Sequence, residues 1–214
     1  MASGGEDAVS PALADFLARA RQRLARAPAV EVADERGDHD LTPQFRPAPG
    51  KPARAAAVLV PVIARPAPTL LFTQRAAHLP HHPGQISFPG GKVEPFDDGP
   101  LATALREAEE EVGLDAGLVR PLGYLDAYLS RTGFRIVPVV GLVEPRFGLT
   151  LNPDEVDEAF EVPLDFLMSP ANHERHQREA EGTMRIFHAM TWQNRHIWGV
   201  TGGILRNLHE RVYG

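Results

Sequence analysis

The segment LREAEEEVGL, residues 105–114, concentrates acidic side chains in a pattern that is otherwise helical. It holds four glutamates within five positions: Glu107, Glu109, Glu110 and Glu111. At 3.6 residues per turn, Glu107, Glu110 and Glu111 share one face. Like charges at this spacing repel by about 0.2–0.5 kcal/mol per pair, so something should offset the repulsion. Oxygen ligands alone suit hard cations such as Mg²⁺ or Mn²⁺, and a solvated acidic face is the alternative.

A pair of glycines precedes this helix and favours the metal site over the solvated face. Gly90 and Gly91, in the stretch FPGG, allow the backbone to approach a ligand or ion closely. Their carbonyls are further oxygen donors for a hard cation. Arg106 could orient the carboxylate of Glu107, and a surface ion pair is the alternative for it. The residues therefore predict a loop and a helix that together hold a divalent ion.

The composition is that of a globular protein without cysteine chemistry. The chain has 214 residues, 43% hydrophobic and 23% charged, and its length suits one domain with extensions. A net charge of −6 argues against a nucleic-acid partner, and the lack of cysteine excludes disulfides and cysteine-based zinc sites. No apolar run approaches about 18 residues, and the start MASGGEDAVS does not resemble a secretion signal. We therefore expect a cytoplasmic protein without a membrane partner.

The elements that must position the acidic helix follow from the hydrophobic pattern. Helical spacing predicts helices at 12–27, at 101–112 and from Ile197 onward, the last with Gly202 and Gly203 allowing close packing. Apolar runs predict strands at 55–63, 69–75, 118–129 and 134–144, with a short run at 86–88. Pro61 favours an edge or bulge in the first of these strands. Residues 28–54 have no periodicity and are interpreted as a long connection.

Strands flanked by three candidate helices predict an α/β layered domain with a mixed sheet. We expect residues 1–54 to form an N-terminal amphipathic helix with an extended connection, and residues 55–214 to form the domain. The segment 156–167 has a less regular pattern. The stretch NPDEVDE, which ends at Glu158, is either the start of an acidic helix or a loop that presents a carboxylate to the site.

The stretch GGKVEPFDDGPLATALREAEEEVGL resembles the Nudix box of the Nudix hydrolases. The family pattern is Gly, five residues, Glu, seven residues, then Arg-Glu-apolar-x-Glu-Glu-x-Gly-apolar, and Gly91 and residues 106–114 match it. Asp97 stands where the family has its early Glu, and eight residues rather than seven separate it from Arg106. The resemblance implies a Nudix-type α/β/α sandwich with a mixed sheet.

The upstream stretch LLFTQRAAHLPHHPGQISFPGG, residues 70–91, is similar to the coenzyme A pyrophosphatase branch of that superfamily. Pro80 replaces the Arg that is usual there, and the resemblance extends over roughly residues 55 to 208. It implies hydrolysis of the pyrophosphate of coenzyme A to 3′,5′-ADP and 4′-phosphopantetheine. The alternatives are another Nudix diphosphatase, acting on ADP-ribose, NADH or nucleoside triphosphates, and a noncatalytic nucleotide-binding module. A homodimer is left open.

By the same resemblance, Mg²⁺ or Mn²⁺ is the cofactor, and each candidate residue takes a role. The metal ligands are Glu107, Glu111, the Gly91 carbonyl and Glu110, which is alternatively a water-orienting group. The catalytic candidates are Arg106 for orientation and Glu110, Glu155 or Glu158 as the base. The candidates for binding the anionic substrate are Arg75, His82, Lys92 and Arg135, each with solvated surface as its alternative. Phe134 and Trp198 could stack on a base, and core packing is favoured for both.

Overall fold

The computed structural model describes residues 9–29, 35–46, 52–180 and 182–214. In these residues the helices are α1 (Pro11–Arg23), α2 (Gly99–Val112), α3 (Leu164–Met168) and α4 (Val200–Tyr213). The strands of the first half are β1 (Arg36–Gly37), β2 (Arg54–Ile63), β3 (Thr69–Arg75), β4 (Ile86–Ser87), β5 (Gly90–Lys92) and β6 (Val119–Tyr124). Those of the second half are β7 (Tyr128–Leu129), β8 (Phe134–Val143), β9 (Val156–Pro163), β10 (Glu174–Ala180), β11 (Thr183–Trp192) and β12 (Arg195–Trp198).

The large sheet is mixed, as predicted. Its strands run in the order β1-β7-β8-β2-β3-β4, and β5, β6 and β9 pair with β2, β8 and β3 respectively. The long pairing of β2 with β8 is parallel, while β2 pairs antiparallel with both β3 and β5. Both faces of β2 are covered, because Leu59 packs on one side and Val60 on the other. This accounts for the unbroken apolar run in that strand.

The two faces of the sheet carry different helices. The α2 helix covers one face, where Ala104, Ala108 and Val112 join the core. The helices α1, α3 and α4 and the small antiparallel sheet β10-β11-β12 cover the other face. The arrangement is an α/β/α sandwich, which confirms the predicted fold class. None of the described helices is both long and apolar enough to cross a membrane.

The N-terminal helix is confirmed, although it ends four residues earlier than predicted. Ser10 caps it by accepting a hydrogen bond from the Leu13 amide at 3.3 Å, and Phe16 and Ala20 are fully buried. Of the predicted connection 28–54, residues 30–34 and 47–51 lie outside the described residues, as do residues 1–8 at the start of the chain. The described part contains β1 and a turn in which Asp38 and His39 are buried.

Pro61 does not lie in an edge strand, because β2 has neighbours on both sides. It falls at a break in the pairing on one side, between the register of Ala56–Val58 with β5 and that of Val62–Ile63 with β3, where no ladder hydrogen bond from its nitrogen is needed. The helical alternative for NPDEVDE is wrong, since a turn there leads into β9, which pairs with β3. The ribbon formed by β10 and β11 was not predicted from the sequence.

Candidate active site

The α2 helix presents its carboxylates because its opposite side is apolar. Ala108 and Val112 are buried, and Leu101 and Leu105 pack against the same core, as the helical stripe predicted. The helix ends at Gly113, whose φ of 68° is left-handed and is easily adopted by glycine. This fixed apolar face leaves the glutamates pointing to the side, toward the loop of β5 and the turn before β9.

The four glutamates lie at different depths. Glu109 and Glu110 are exposed, Glu107 is half-buried, and Glu111 is only 3% exposed. Burial, followed by the charges of Glu107 and Glu155, raises the pKa of Glu111 to about 8. The Gly90 amide donates to the Glu111 carboxylate, whereas the buried Oε2 atom has no hydrogen-bond partner among the described residues. A buried carboxylate with an unpartnered oxygen is costly unless a cation or proton neutralises it.

Glu155 faces the helix from the turn that precedes β9. It is close enough to raise the pKa of both Glu107 and Glu111, although burial is the larger cause for each. The Asn152 amide donates to the Glu111 backbone carbonyl at 2.9 Å, which fastens this turn to the end of α2. The turn therefore brings a third carboxylate to the buried pair.

Gly91 lies directly against Glu107. A Cβ atom at this position would overlap the Glu107 carboxylate, and one at Gly90 would overlap the backbone of β2. The pairing of Ala57 with Gly91 and of Val58 with Gly90 holds this strand close to β2. Glycine is required at both positions so that the loop backbone can reach the carboxylates.

Arg106 clamps the loop between β5 and α2 onto the helix. Its Nε and Nη2 atoms donate to the Asp97 carboxylate at 2.9 and 3.0 Å, and Nη2 also donates to the Lys92 carbonyl at 3.1 Å. Its Nη1 atom lies 3.0 Å from Glu107 and 2.8 Å from Glu110. Asp97 accepts further bonds from the Glu94 amide and the Thr103 hydroxyl, each at 2.9 Å.

Asp97, which departs from the family pattern, is thus the anchor of this loop. The Arg106 hydrogen bonds, followed by the Glu94 amide, lower the pKa of Asp97 well below its ordinary range. The stretch between Asp97 and Arg106 is one residue longer than in the family pattern. It is accommodated because the side chain of Asp97, although shorter than that of the family glutamate, still reaches the guanidinium in a two-point contact. Arg106 and Asp97 therefore position the loop and the helix relative to each other.

The donor set fits a hard divalent cation. Among the described residues, no group of three histidine, aspartate or glutamate side chains is already gathered around one point. Three observations nevertheless favour a cation here. The Oε2 atom of Glu111 has no partner among the described residues, and the charges of Glu107, Glu111 and Glu155 repel one another. The backbone of Gly91 lies close enough to add a carbonyl oxygen to these carboxylate donors. The residues that would hold the ion are Glu107 and Glu111, with Glu110 and the Gly91 carbonyl beside them.

A cavity of about 530 Å³ adjoins this cluster. Gly90 and Arg75 line it, and both also interact with Glu111. Its size falls in the range typical of small-molecule sites. Phe134 and Trp198 line the cavity, although the sequence favoured core packing for both. Other lining residues are Asp38, Val58, His82, Arg131, Ile136 and Arg185.

Three candidate residues do not line the cavity. Glu158 shares the sheet face of Phe160, opposite α2, where Arg195 binds it at 2.7 Å and lowers its pKa. The alternation of β8 turns Arg135 away from the cavity, toward Glu35 and the Ala29 carbonyl, at 2.5 and 2.6 Å. Lys92 is exposed and is not among the cavity-lining residues.

The sequence analysis missed Asp38 and Arg185 as cavity residues. They lie far apart along the chain, and no local pattern connects them. Asp38 is preceded by an aperiodic segment, and Arg185 lies on a strand whose exposed residues are Met184 and Thr191, so polarity does not mark one face. The burial of Asp38 would have marked it as functional, but burial cannot be inferred from the sequence of a polar stretch.

The fold and the site together define an enzyme that hydrolyses a phosphoric anhydride. Clustered carboxylates beside a cationic cavity are suited to a substrate that carries phosphates. Similarity to known proteins identifies the family within this class of enzymes.

A family model for the NUDIX domain matches residues 53–182. An uncharacterized Nudix hydrolase NudL of Yersinia pestis (strain Pestoides F) is 43% identical over 159 residues, covering 74% of this chain and 80% of that protein. The NudL of Yersinia pseudotuberculosis serotype O:1b gives the same values. A C. elegans Ap4A hydrolase, solved as a binary complex, aligns with a TM-score of 0.45 and 20% identity over 51% of this chain and 80% of its own. The chain belongs to the Nudix family and is a hydrolase of nucleoside diphosphate derivatives.

Proposed function

We propose that this Nudix hydrolase cleaves the pyrophosphate of coenzyme A and its acyl or oxidised derivatives, releasing 3′,5′-ADP and 4′-phosphopantetheine. The observation that carries the proposal is the cavity that begins at Gly90 and Arg75, beside Glu111, and extends to aromatic and cationic side chains. Such a cavity suits a long anionic substrate whose anhydride lies at the carboxylates. The resemblance of residues 70–91 to the coenzyme A pyrophosphatase branch supports the same substrate.

Glu107 and Glu111 are the proposed ligands for Mg²⁺ or Mn²⁺, with the Gly91 carbonyl and Glu110 completing the protein's donors. A divalent ion held there would neutralise the nonbridging oxygens of the anhydride and ease deprotonation of the attacking water. Arg106 positions Glu107 and Glu110 through its contacts at 3.0 and 2.8 Å. Because Asp97 holds the guanidinium, this positioning extends to the loop that carries Gly91.

Glu155 is the proposed general base. It faces the buried carboxylates from the turn opposite α2, so it can take a proton from a water that lies between the turn and the helix. Glu110 is exposed and paired with Arg106, and Glu158 lies on the other face of the sheet with Arg195. In the proposed step the water oxygen attacks one phosphorus, Glu155 accepts the proton, and the bridging P–O bond breaks.

Arg75 and His82 are the proposed contacts to the substrate phosphates. Arg75 lines the cavity and its charge acts on Glu111, so it lies where the anhydride must enter. Its backbone is fixed by hydrogen bonds with Gln85 and Gly84, each 3.0 Å long. Since Pro80 supplies no charge, Arg75 is the only arginine or lysine in residues 70–91.

The test is to incubate the purified protein with coenzyme A, ADP-ribose, NADH and a nucleoside triphosphate, each with Mg²⁺ or Mn²⁺, and to identify the products. We expect 3′,5′-ADP and 4′-phosphopantetheine from coenzyme A. The Glu111→Gln variant, prepared in parallel, controls for contaminating hydrolases. Turnover of another substrate without 3′,5′-ADP formation would overturn the coenzyme A assignment, and no turnover of any substrate would favour a noncatalytic binding module.

A further inference from the structure

Part of the cavity wall is built by residues that lie outside the segment matching the family model. Asp38 precedes that segment, and the others follow it. These later residues are Arg185 on β11, Trp198 on β12, and Gly199, Val200, Thr201 and Ile204 around the start of α4. This part of the wall is therefore formed by residues that the family model does not cover.

Arg185 is held in place by a buried aspartate. Its Nη2 atom lies 2.6 Å from Asp38 Oδ2, and the Asp38 side chain is only 4% exposed. The Tyr128 hydroxyl donates to the other Asp38 oxygen at 2.8 Å. Each Asp38 oxygen thus has a donor, and the carboxylate acts as a fixed support for the guanidinium.

The guanidinium of Arg185 also lies against aromatic rings at the cavity. Its Cζ atom is 5.3 Å from the ring centroid of Phe187 and 6.0 Å from that of Trp198. Its buried Nε atom has no hydrogen-bond partner among the described residues. Gly199, with a φ of 65°, lies beside the guanidinium, since a Cβ atom on it would be in contact with Arg185 Nη2 at 3.8 Å. Arg185 is therefore ordered before a ligand arrives and retains hydrogen-bonding capacity.

The cavity is cationic although the chain is acidic. Arg75, Arg131 and Arg185 line it, and Asp38 is its single carboxylate among the described residues. The whole chain carries a net charge of −6, so this sign is a local feature. The amino end of α4 lies on the same wall and adds to the positive potential. An anionic group is the complement of such a wall.

We propose that Arg185, oriented by Asp38 and Tyr128, binds a phosphomonoester carried by the substrate away from the anhydride. This inference rests on the proposed function, in which that group is the 3′-phosphate of coenzyme A. In this arrangement the anhydride lies at Gly90 and Arg75, beside the carboxylates, and Arg185 belongs to the part of the wall that includes Trp198. A guanidinium presents its donors to phosphate oxygens in a planar fork. Arg185 thereby selects coenzyme A over nucleoside diphosphates without this phosphate.

The test compares kcat/KM for coenzyme A with that for 3′-dephospho-coenzyme A. The variants are Arg185→Gln and, as a matched control, Arg178→Gln, which removes a charge from the exposed residue paired with Arg185 across the β10-β11 ribbon. We expect Arg185→Gln to reduce the preference for coenzyme A about 10- to 100-fold, whereas Arg178→Gln leaves the preference as in the wild type. An unchanged preference in folded Arg185→Gln would overturn the inference, even if coenzyme A is hydrolysed.

A binding measurement separates this inference from the proposed function. Calorimetric titration of 3′,5′-ADP and 5′-AMP in the presence of a chelator needs no turnover, and we expect tighter binding of 3′,5′-ADP by the wild type and not by Arg185→Gln. If Arg185→Gln is unstable because Asp38 is left unpaired, the double variant Asp38→Asn/Arg185→Gln removes both charges and answers the same question. Equal binding of the two nucleotides by the wild type would refute the role of Arg185, whichever substrate is hydrolysed.

Discussion

Glu111 is the carboxylate of this site whose ionisation is most unfavourable in the folded protein. It is almost completely buried, it lies beside two other carboxylates, and one of its oxygens has no partner among the described residues. Its pKa of about 8 lies above the ordinary 4.5, so the folded protein holds a proton that the unfolded chain releases. Without a divalent cation, the free energy of unfolding should therefore fall as the pH rises from about 5 to about 8.

The substitution Glu111→Gln should separate function from stability. We expect kcat/KM to fall by about two orders of magnitude or more, because a ligand for the ion is lost. We expect the melting temperature in chelator at pH 8 to rise relative to the wild type, because an amide does not ionise. The matched control is Glu109→Gln on the exposed side of the same helix, which should change neither quantity appreciably. Normal turnover by Glu111→Gln would contradict the metal role.

At the scale of elements, the loop before α2 and the helix itself are joined chiefly by one ion pair. Asp97 makes two contacts with Arg106, and Arg106 in turn holds Glu107 and Glu110. Without the Asp97 charge, the Arg106 guanidinium would interact more strongly with Glu107 and Glu110 and would displace them. The geometry of the carboxylates thus depends on a residue that does not belong to the donor set.

The substitution Asp97→Asn should lower kcat/KM on the order of tenfold to a hundredfold through displacement of Glu107 and the Gly91 backbone. The melting temperature should fall as well, since the Arg106 guanidinium loses its main partner. Asp98→Asn is the control, because Asp98 is exposed and its side chain makes no capping hydrogen bond to α2. Steady-state kinetics and thermal melts of the two variants measure both effects. If Asp97→Asn behaves like Asp98→Asn, Asp97 is a solvated charge and does not hold the loop onto α2.

Helix α4 depends on close approach at its glycines, as the sequence indicated. A Cβ atom on Gly203 would overlap the Tyr128 ring, and one on Gly202 would overlap the His188 backbone. We expect Gly203→Ala to destabilise the fold by about 1–3 kcal/mol through overpacking. Gly148→Ala, where the added carbon meets open space, should have little effect. Urea denaturation of both variants measures the difference, and equal stabilities would mean that Tyr128 moves without cost.

At the scale of the whole molecule, two half-buried histidines join the segment before β10 to α4. His173 precedes β10 and lies 4.9 Å from His209 of α4, measured between ring centroids. Its Nε2 atom lies 2.7 Å from the Leu167 carbonyl, and its buried Nδ1 atom has no partner among the described residues. Burial lowers the pKa of His173 to about 4 from an ordinary 6.5, and it also lowers the pKa of His209.

The contribution of His173 to stability should therefore be lost in mild acid. The unfolded chain takes up a proton on His173 below pH 6.5, while the folded protein resists it until about pH 4, so the contribution to stability is lost between these values. We expect His173→Gln to reduce the loss between pH 7 and pH 4.5 by about 2 kcal/mol, as measured by urea unfolding at each pH. His81→Gln, in an exposed loop, is the control. A parallel pH profile for wild type and His173→Gln would contradict the prediction.

The sequence predicted those features that depend on neighbouring residues. The apolar stripe of α2, its end at Gly113, the buried strands and the glycine loop all follow from local periodicity and backbone chemistry. The face shared by Glu107, Glu110 and Glu111 was predictable, whereas their different depths were not, because depth depends on the β5 loop and the turn before β9. The ribbon of β10 and β11 was missed because much of β10 is exposed and lacks apolar alternation. Contacts such as Asp38 with Arg185 join distant segments and leave no local pattern.

Gly90 stands where the two halves of the site meet, since it donates to Glu111 and also lines the cavity. On one side of this glycine lie the carboxylates of the family pattern, and on the other lies the cavity, whose wall includes residues beyond 182 from Arg185 to Ile204. An inhibitor built to fill the cavity from Trp198 to Gly90, without a metal-chelating group, would contact these residues and would not depend on the carboxylates. Resistance to such a compound should arise at the cavity-lining positions of β11, β12 and α4 rather than in α2.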